Sequence, residues 1–405
     1  MLPVLISLIS LPLMYGLGME LLGQRSVAWL ATALLALSPV DILFAQTARQ
    51  YSLLTLSVIG SSWLLLRALR LNRPRAWLGY GLAVTLGLYG HVFFVLNWVS
   101  QGVFVAWLRS PRPVWPMRLR FTVASGLGLL LYSPWLAVLL TQRDRGLSTT
   151  SWASGRAEAL TYVKFWVLSF TSLVVDSNAD GPGFWVYLPR LPVLVLLGYG
   201  FWAVIKTATP RQTAFIVTAG LGPFLLLVGP DLLLGGHRST ITRYVLGAFP
   251  GVQLAMAYGL ARLAAQRARL AAWVWVAILA ASLTSGWLSA RADTWWVKGV
   301  STENGRIASY LNGATAPLVV TDRGDSFLNK GNLLSLGYRL TSGVTLLPVS
   351  WPPEPDLFTA ALAAHQGELL AYRPSKALLQ GLVEEGFEPR QSAVAGVWKL
   401  AQPPP

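Results

Sequence analysis

Four short polar clusters interrupt a largely apolar sequence, and they hold most of the side chains able to do chemistry. The first runs from Ser38-Pro39 through Asp41 to Gln46, Arg49 and Tyr51. Arg49 is the one base of this stretch. Its rigid guanidinium fork matches phosphate or pyrophosphate, and the plainer reading is an arginine reaching out of the bilayer. The second cluster is Tyr89-Gly90-His91, where a lone histidine either satisfies a buried carbonyl or handles a proton or a substrate hydrogen bond. The third runs from His237-Arg238 to Arg243-Tyr244. Two arginines and a histidine beside a helix start make an anion site, while Arg243 alone could anchor a helix at the interface. The fourth is Thr149-Thr150-Ser151-Trp152, in which Trp152 is a membrane-belt residue or a platform for a sugar ring. Asp41, Asp176, Asp180 and Asp231 are the carboxylates near these clusters, and a general base must be one that reaches the attacking hydroxyl. Spacing selects none of them; Asp41 is a speculative choice. There is no zinc-type histidine pair, phosphate-loop glycine motif or nucleophile elbow, and with no Cys all thiol chemistry is excluded.

The elements that must position these clusters are membrane helices. The chain is 54% hydrophobic and only 12% charged, with mean hydropathy +0.52. A soluble domain carries about a quarter of its residues as charges. Apolar runs at 2–20, 27–44, 51–66, 77–89, 92–108, 121–140, 184–205, 212–234, 243–261 and 271–289 predict about ten transmembrane helices. Arginine-rich loops at 67–76 and 109–120, the pair Lys206 and Arg211, and Arg262, Arg267 and Arg269 fall on one side in that reading, which marks it as cytoplasmic. The alternation requires a break near Gly90-His91; a single long tilted helix over 77–108 would scatter the basic loops to both sides. All four polar clusters then share the opposite face. The net charge of +15 is spent on topology, so nucleic acid is not an expected partner.

Residues 157–172 repeat Tyr162, Phe165, Trp166 and Phe170 at near-helical spacing and predict an interfacial helix on the outer leaflet. From about 293 the pattern changes. Strands are expected at 318–320, 345–347, 368–371 and 397–400 and helices at 303–312, 357–365 and 375–385, with a Pro-rich loop at 348–355. The expected organisation is a transmembrane domain over 1–290 and a small soluble α/β domain over 293–405, on the extracytoplasmic side.

These motifs resemble glycosyltransferase family 39, the dolichyl-phosphate-mannose-protein mannosyltransferase-like membrane enzymes of the GT-C fold, in their bacterial form. The resemblance rests on Ser38-Pro39 followed by Gln46-Thr47-Ala48-Arg49-Gln50-Tyr51, on Tyr89-Gly90-His91, on Ser133-Pro134-Trp135, and on Arg243-Tyr244 with Pro250 beyond. It extends over about 38–260. It implies an α-helical polytopic membrane protein that moves a sugar from a polyprenyl-phosphate donor to an acceptor glycan, lipid or protein at the outer face of the plasma membrane. It implies that Arg49 and Arg243 hold the lipid phosphate and that Tyr51, Tyr244 and His91 line the site, with Gln46 and Trp152 as further contacts. It leaves a divalent metal open and makes no cofactor certain. Thr47 replaces the glutamate usual in that family. The family also places its catalytic aspartate in a first external loop after an initial span, and the sequence is expected to lack both, so no aspartate is carried over as that base. The rival readings are a transporter or lipid-carrier flippase, which calls for related halves and polar span centres, and a catalytically inactive assembly protein.

Overall fold

The computed structural model describes residues 2–108, 114–177, 186–296, 301–322, 327–349, 362 and 365–401. It separates into two units, Met1–Ala290 and Arg291–Pro405.

The first unit is helical: α1 (Leu2–Leu22), α2 (Arg25–Leu37), α3 (Pro39–Ala45), α4 (Tyr51–Leu71), α5 (Pro74–Gly90), α6 (Phe94–Trp107), α7 (Val114–Thr141), α8 (Arg143–Thr150), α9 (Ala159–Thr171), α10 (Leu191–Thr207), α11 (Pro210–Leu234), α12 (Thr242–Val245), α13 (Phe249–Gln266) and α14 (Ala268–Arg291). Among the described residues seven helical segments are long and apolar enough to cross a membrane, and α2 with α3 makes an eighth as a pair bent by 59°. The α5 and α6 helices fill the two spans expected over 77–108, but with 17 and 14 residues they fall short of the ~20 that a full crossing takes. Large apolar side chains such as Val195, Leu233 and Trp273 stand exposed on the lateral surface, as lipid contact demands. This is an α-helical polytopic membrane protein.

Three local rules shape the polar end. The expected span 27–44 breaks at Ser38-Pro39. A residue before proline is pushed out of the helical region, and Ser38 sits at φ −64°, ψ 116°. Its side chain then accepts from the Asp41 N–H at 3.4 Å, so Pro39 restarts a helix in a new direction. The expected break at Gly90-His91 is present, with His91 extended at φ −161° after α5. The span expected over 243–261 begins as the single turn α12, passes through a tight 3₁₀ turn at Leu246–Ala248, and only then runs on as α13. The span expected over 184–205 starts later, as α10 from Leu191, after a short 3₁₀ turn at Leu188–Arg190. Pro189 and Pro192 fit this short turn and late start, since proline is tolerated where a helix begins.

The opposite end collects the basic loops. Arg70 at the close of α4 pairs with Glu20 of α1 at 2.5 Å, and Gln212 of α11 donates to the Leu21 carbonyl at 3.1 Å. Arg120 of α7 reaches Asn72 after α4 at 2.9 Å, and Arg118 donates to the Ala106 carbonyl at 2.5 Å. The loop charges and the helix packing therefore sort the same segments to one end.

Small residues let the central helices close up. A Cβ on Gly251 of α13 would run into the backbone of Ala219 and Gly220 on α11. Membrane helices gain little from the hydrophobic effect between them and depend on such close backbone contact. Gly251→Leu is expected to destabilise the unit by more than the ~1–3 kcal/mol of ordinary overpacking, because the obstacle is backbone. Detergent-solubilised variant protein should lose its monodisperse elution peak and melt well below the parent; an unchanged melting profile would disprove this packing role.

The second unit holds a five-stranded sheet of β1 (Leu318–Asp322), β2 (Thr345–Val349), β3 (Leu369–Tyr372), β4 (Glu388–Gln391) and β5 (Val397–Ala401), in the order β2-β1-β3-β5-β4. β1 is parallel to both β2 and β3, and β5 is antiparallel to β3 and β4. The helices are α15 (Asn304–Asn312), α16 (Phe327–Gly337) and α17 (Lys376–Glu384). Alternate residues of each strand face opposite layers. Leu318, Val320, Leu369 and Ala371 pack with Leu378 and Leu382 of α17, while Val319, Leu370 and Tyr372 pack with Ile307 and Leu311 of α15 and Leu336 of α16. The helix expected at 357–365 lies almost wholly outside the described residues; Leu362 is in the first of these cores.

Tyr372 fixes one layer. Its hydroxyl donates to Asn304 Oδ1 at 2.8 Å, and Asn304 Nδ2 donates to the Asn332 carbonyl at 3.2 Å. Burial pushes the Tyr372 phenol up, which keeps it a neutral donor. Tyr372→Phe strands a buried amide oxygen, and a cost of about 1–3 kcal/mol is expected, read as a lower melting point of this unit. No loss of stability would show that water replaces the hydroxyl.

Candidate functional site

The polar clusters meet at the end of the helical unit away from the basic loops. A continuous line of rings and one cation connects them. The Arg243 guanidinium lies 5.6 Å from the Trp152 ring centre and 5.2 Å from that of Tyr244. Tyr244 packs against Phe93 at 4.3 Å between ring centres, Phe93 against His91 at 5.7 Å, His91 against Tyr51 at 5.8 Å, and Tyr51 against Phe44 at 4.7 Å. Trp152 also meets His237 at 6.0 Å. Five expected site residues, Tyr51, His91, Trp152, Arg243 and Tyr244, thus belong to one array although they come from widely separated parts of the sequence.

Each member is placed by a local device. Arg243 and Tyr244 sit on the single turn α12, before the chain winds into α13, so neither is committed to a long helix face. The His237 N–H donates to the Ala153 carbonyl at 3.0 Å, and its Nδ1 lies 2.8 Å from the Gly155 carbonyl. These contacts tie Trp152 to the 237–244 segment. His91 accepts from the Phe93 N–H through Nδ1 at 3.1 Å. Burial in the turn between α5 and α6 pushes the His91 imidazole down to about 4, so it is neutral at pH 7 and adds no positive charge to an anion site. The positive charge of the array is carried by Arg243.

Gln46 and Arg49 lie beside the array, not in it. Both are exposed, and the Arg49 side chain makes no hydrogen bond or ion pair among the described residues. The turn that carries them is pinned instead by its neighbours: Thr47 donates to the Leu43 carbonyl at 2.8 Å, and Ser52 donates to the Phe44 carbonyl at 3.3 Å.

The four candidate carboxylates separate clearly. Asp231 is fully buried and accepts the Ser239 N–H at 2.6 Å, which holds the loop before α12. Asp176 is buried next to Arg190, whose guanidinium donates to the Val175 carbonyl at 2.7 Å and to Thr171 Oγ1 at 3.1 Å. Asp180 and the side chains of Thr149 and Thr150 lie outside the described residues. Asp41 borders a cleft of about 260 Å³ between α1, α2, α3 and α4. One of its oxygens, Oδ2, accepts from Gln253 Nε2 at 2.8 Å. Gln253 is fully buried on α13, and its own Oε1 has no hydrogen-bond partner among the described residues. Among the described residues no three His, Cys, Asp or Glu side chains come together as a metal site.

The expected helix over 157–172 is present as α9, and three of its four stripe aromatics, Tyr162, Trp166 and Phe170, face protein. Trp166 donates to Ser239 Oγ at 3.2 Å, Tyr162 donates to the Gly236 carbonyl, and Phe170 packs on Phe224 and Phe249. The residues turned outward are Leu160, Val163 and Phe165. The stripe buttresses the loop that carries His237 and Arg243.

Phe44, Phe93 and Gln253 were not anticipated as site residues. Gln253 carried a readable signal, as an amide at the middle of an apolar span. Phe44 lies inside the first polar cluster, whereas Phe93 had no signal, since a phenylalanine in such a segment is most simply a core residue.

Residues 1–137 match the family model described as Dolichyl-phosphate-mannose-protein mannosyltransferase. Over these residues, about a third of its length, the chain is similar to that family of membrane glycosyltransferases. The match ends within α7 and so takes in Asp41, Gln46, Arg49, Tyr51 and His91. Trp152, Arg243 and Tyr244 come from beyond it and complete the same array. No curated protein matches the chain.

Proposed function

We propose that the helical unit is a glycosyltransferase that takes its sugar from a polyprenyl-phosphate carrier at the extracytoplasmic face of the plasma membrane. The observation that carries this reading is Arg243 held between Trp152 and Tyr244, on an array that runs into the family-matched segment at His91 and Tyr51. A guanidinium among aromatic faces suits a sugar phosphate, because the cation takes the phosphate and the rings take the apolar face of the sugar. Arg49, exposed and unpinned, is the second phosphate ligand, brought in as the donor docks. Gln46 contributes an amide beside it.

The chemistry is direct displacement. The acceptor oxygen bonds to the anomeric carbon as the bond from that carbon to the phosphate oxygen breaks. The acceptor proton passes to the Asp41 carboxylate, and the polyprenyl phosphate leaves with its negative charge held by the two arginines. The sorting of basic loops to the opposite end supports placing that end in the cytoplasm and this one outside. The α/β unit is taken to lie on the outer side as well.

The test is the full chain in sealed vesicles with a polyprenyl-phosphate-linked radiolabelled hexose and a crude envelope lipid and glycan extract. Sugar should appear on an acceptor in step with released polyprenyl phosphate. Donor that crosses the vesicle intact, with no released carrier, would reject transfer in favour of transport.

A further inference from the structure

The cleft beside Asp41 says more about the acceptor. Its walls are largely apolar, formed by Val4, Leu8 and Leu11 of α1 together with α2, α3 and α4, with Ser10, Gln46 and Thr55 also on the lining. Its polar floor is largely self-satisfied, because Ser7 donates to Ser52 at 3.1 Å and Ser52 is within reach of the Phe44 carbonyl. Leu8 is 55% exposed, so the cleft opens along the lateral, lipid-facing surface of α1. Asp41 brings a carboxylate to this apolar slot with one oxygen anchored by Gln253. At about 260 Å³ the space lies below the ~300–1,000 Å³ of sites that enclose a whole small molecule. It suits one hydroxyl and the few carbons that carry it.

We infer that this cleft is the acceptor subsite and that the acceptor is a membrane-borne amphiphile, which enters sideways from the bilayer and presents a hydroxyl to Asp41. The inference rests on the glycosyltransferase reading. A soluble glycan or a protein loop would have to arrive from the aqueous side, whereas the α1 wall of this slot is mainly hydrocarbon, from Val4, Leu8 and Leu11. A lipid chain can lie against α1 within the bilayer and lose no hydration on entry. A carboxylate in such a slot calls for a hydrogen-bond donor, and a hydroxyl fills that need without burying a second charge. Phe44 links the two subsites, since it borders the cleft and also ends the aromatic array.

The experiment uses full-length protein in phosphatidylcholine vesicles and two photoactivatable probes with the same long chain, one ending in a hydroxyl and the other in its methyl ether. Crosslinked residues are mapped by mass spectrometry. The alcohol should label α1 and α3 about tenfold more than the ether, the size expected for a hydrogen bond to a charged group. Asp41→Asn should narrow that preference. Leu8→Trp, an exposed position, should block labelling of the cleft while labelling at the exposed Trp273 stays unchanged. Equal labelling by the two probes, or labelling indifferent to Leu8→Trp, would overturn the subsite. No sugar donor is present, so this outcome is independent of whether transfer occurs. Conversely, transfer to a water-soluble hydroxyl compound that Leu8→Trp leaves at full rate would overturn the lipid-borne acceptor and leave the glycosyltransferase intact.

Discussion

Replacing Arg243 by alanine is expected to lower sugar transfer by about 100- to 1,000-fold, the range seen when one preorganised donor to a developing oxyanion is removed. The leaving phosphate gains charge in the transition state, so the loss should fall mainly on kcat, with KM for the donor less affected. The fold should survive. Arg243 is partly exposed on the one-turn helix α12, and its guanidinium lies against the faces of Trp152 and Tyr244. Arg243→Lys keeps the charge but loses the two-pronged fork, so intermediate activity is expected. Trp152 sets the comparison. Its ring is 50% exposed, and a cation–π contact at such a site is worth about 0.5–1 kcal/mol, or only a few-fold in rate. A Trp152→Ala loss well above that would place the ring against the sugar itself. If Arg243→Ala retains full transfer with intact folding, the phosphate lies elsewhere and the array is packing.

The parts legible in the sequence were those governed by one-dimensional rules. Span length and loop charge gave the helices, and the alternation of basic loops located the break at His91 that hydropathy alone leaves ambiguous. The strands β1, β2, β3 and β5 carry apolar runs and were visible; β4, whose sequence is Glu-Pro-Arg-Gln on an exposed edge, carries no such pattern. The α16 helix was likewise hidden, because Leu333 and Leu336 are its main core contacts in a short stretch with two glycines. Within the candidate site, the motif residues that come together in space are those that an array of rings joins. The contacts that join them depend on tertiary placement: Phe93 on Tyr244, Gln253 on Asp41 and Phe224 on α9 each link segments far apart in the chain. Arg49 shows the converse. Its motif is clear in the sequence, yet among the described residues its exposed side chain makes no hydrogen bond or ion pair.

Asp41→Asn is expected to have an effect as large or larger, about 100- to 10,000-fold in transfer, the span attributed to a positioned general base. The substitution isolates proton acceptance. An asparagine Oδ1 can still accept from Gln253 Nε2, and the Asp41 backbone N–H still donates to Ser38, so α3 keeps its start and its tie to α13. A neutral amide cannot take the acceptor proton at any pH, so raising the pH should not restore the rate unless the acceptor ionises by itself. An acceptor supplied as its phosphate, already deprotonated, should therefore be less sensitive to Asp41→Asn than one supplied as an alcohol. Gln253→Leu tests the anchor separately. It leaves the carboxylate in place but frees Oδ2, and a moderate loss with a shifted pH profile is expected, because the hydrogen bond that favours the charged carboxylate is gone. Equal sensitivity of phosphate and alcohol acceptors to Asp41→Asn would show that Asp41 positions the acceptor and that the proton leaves by another route.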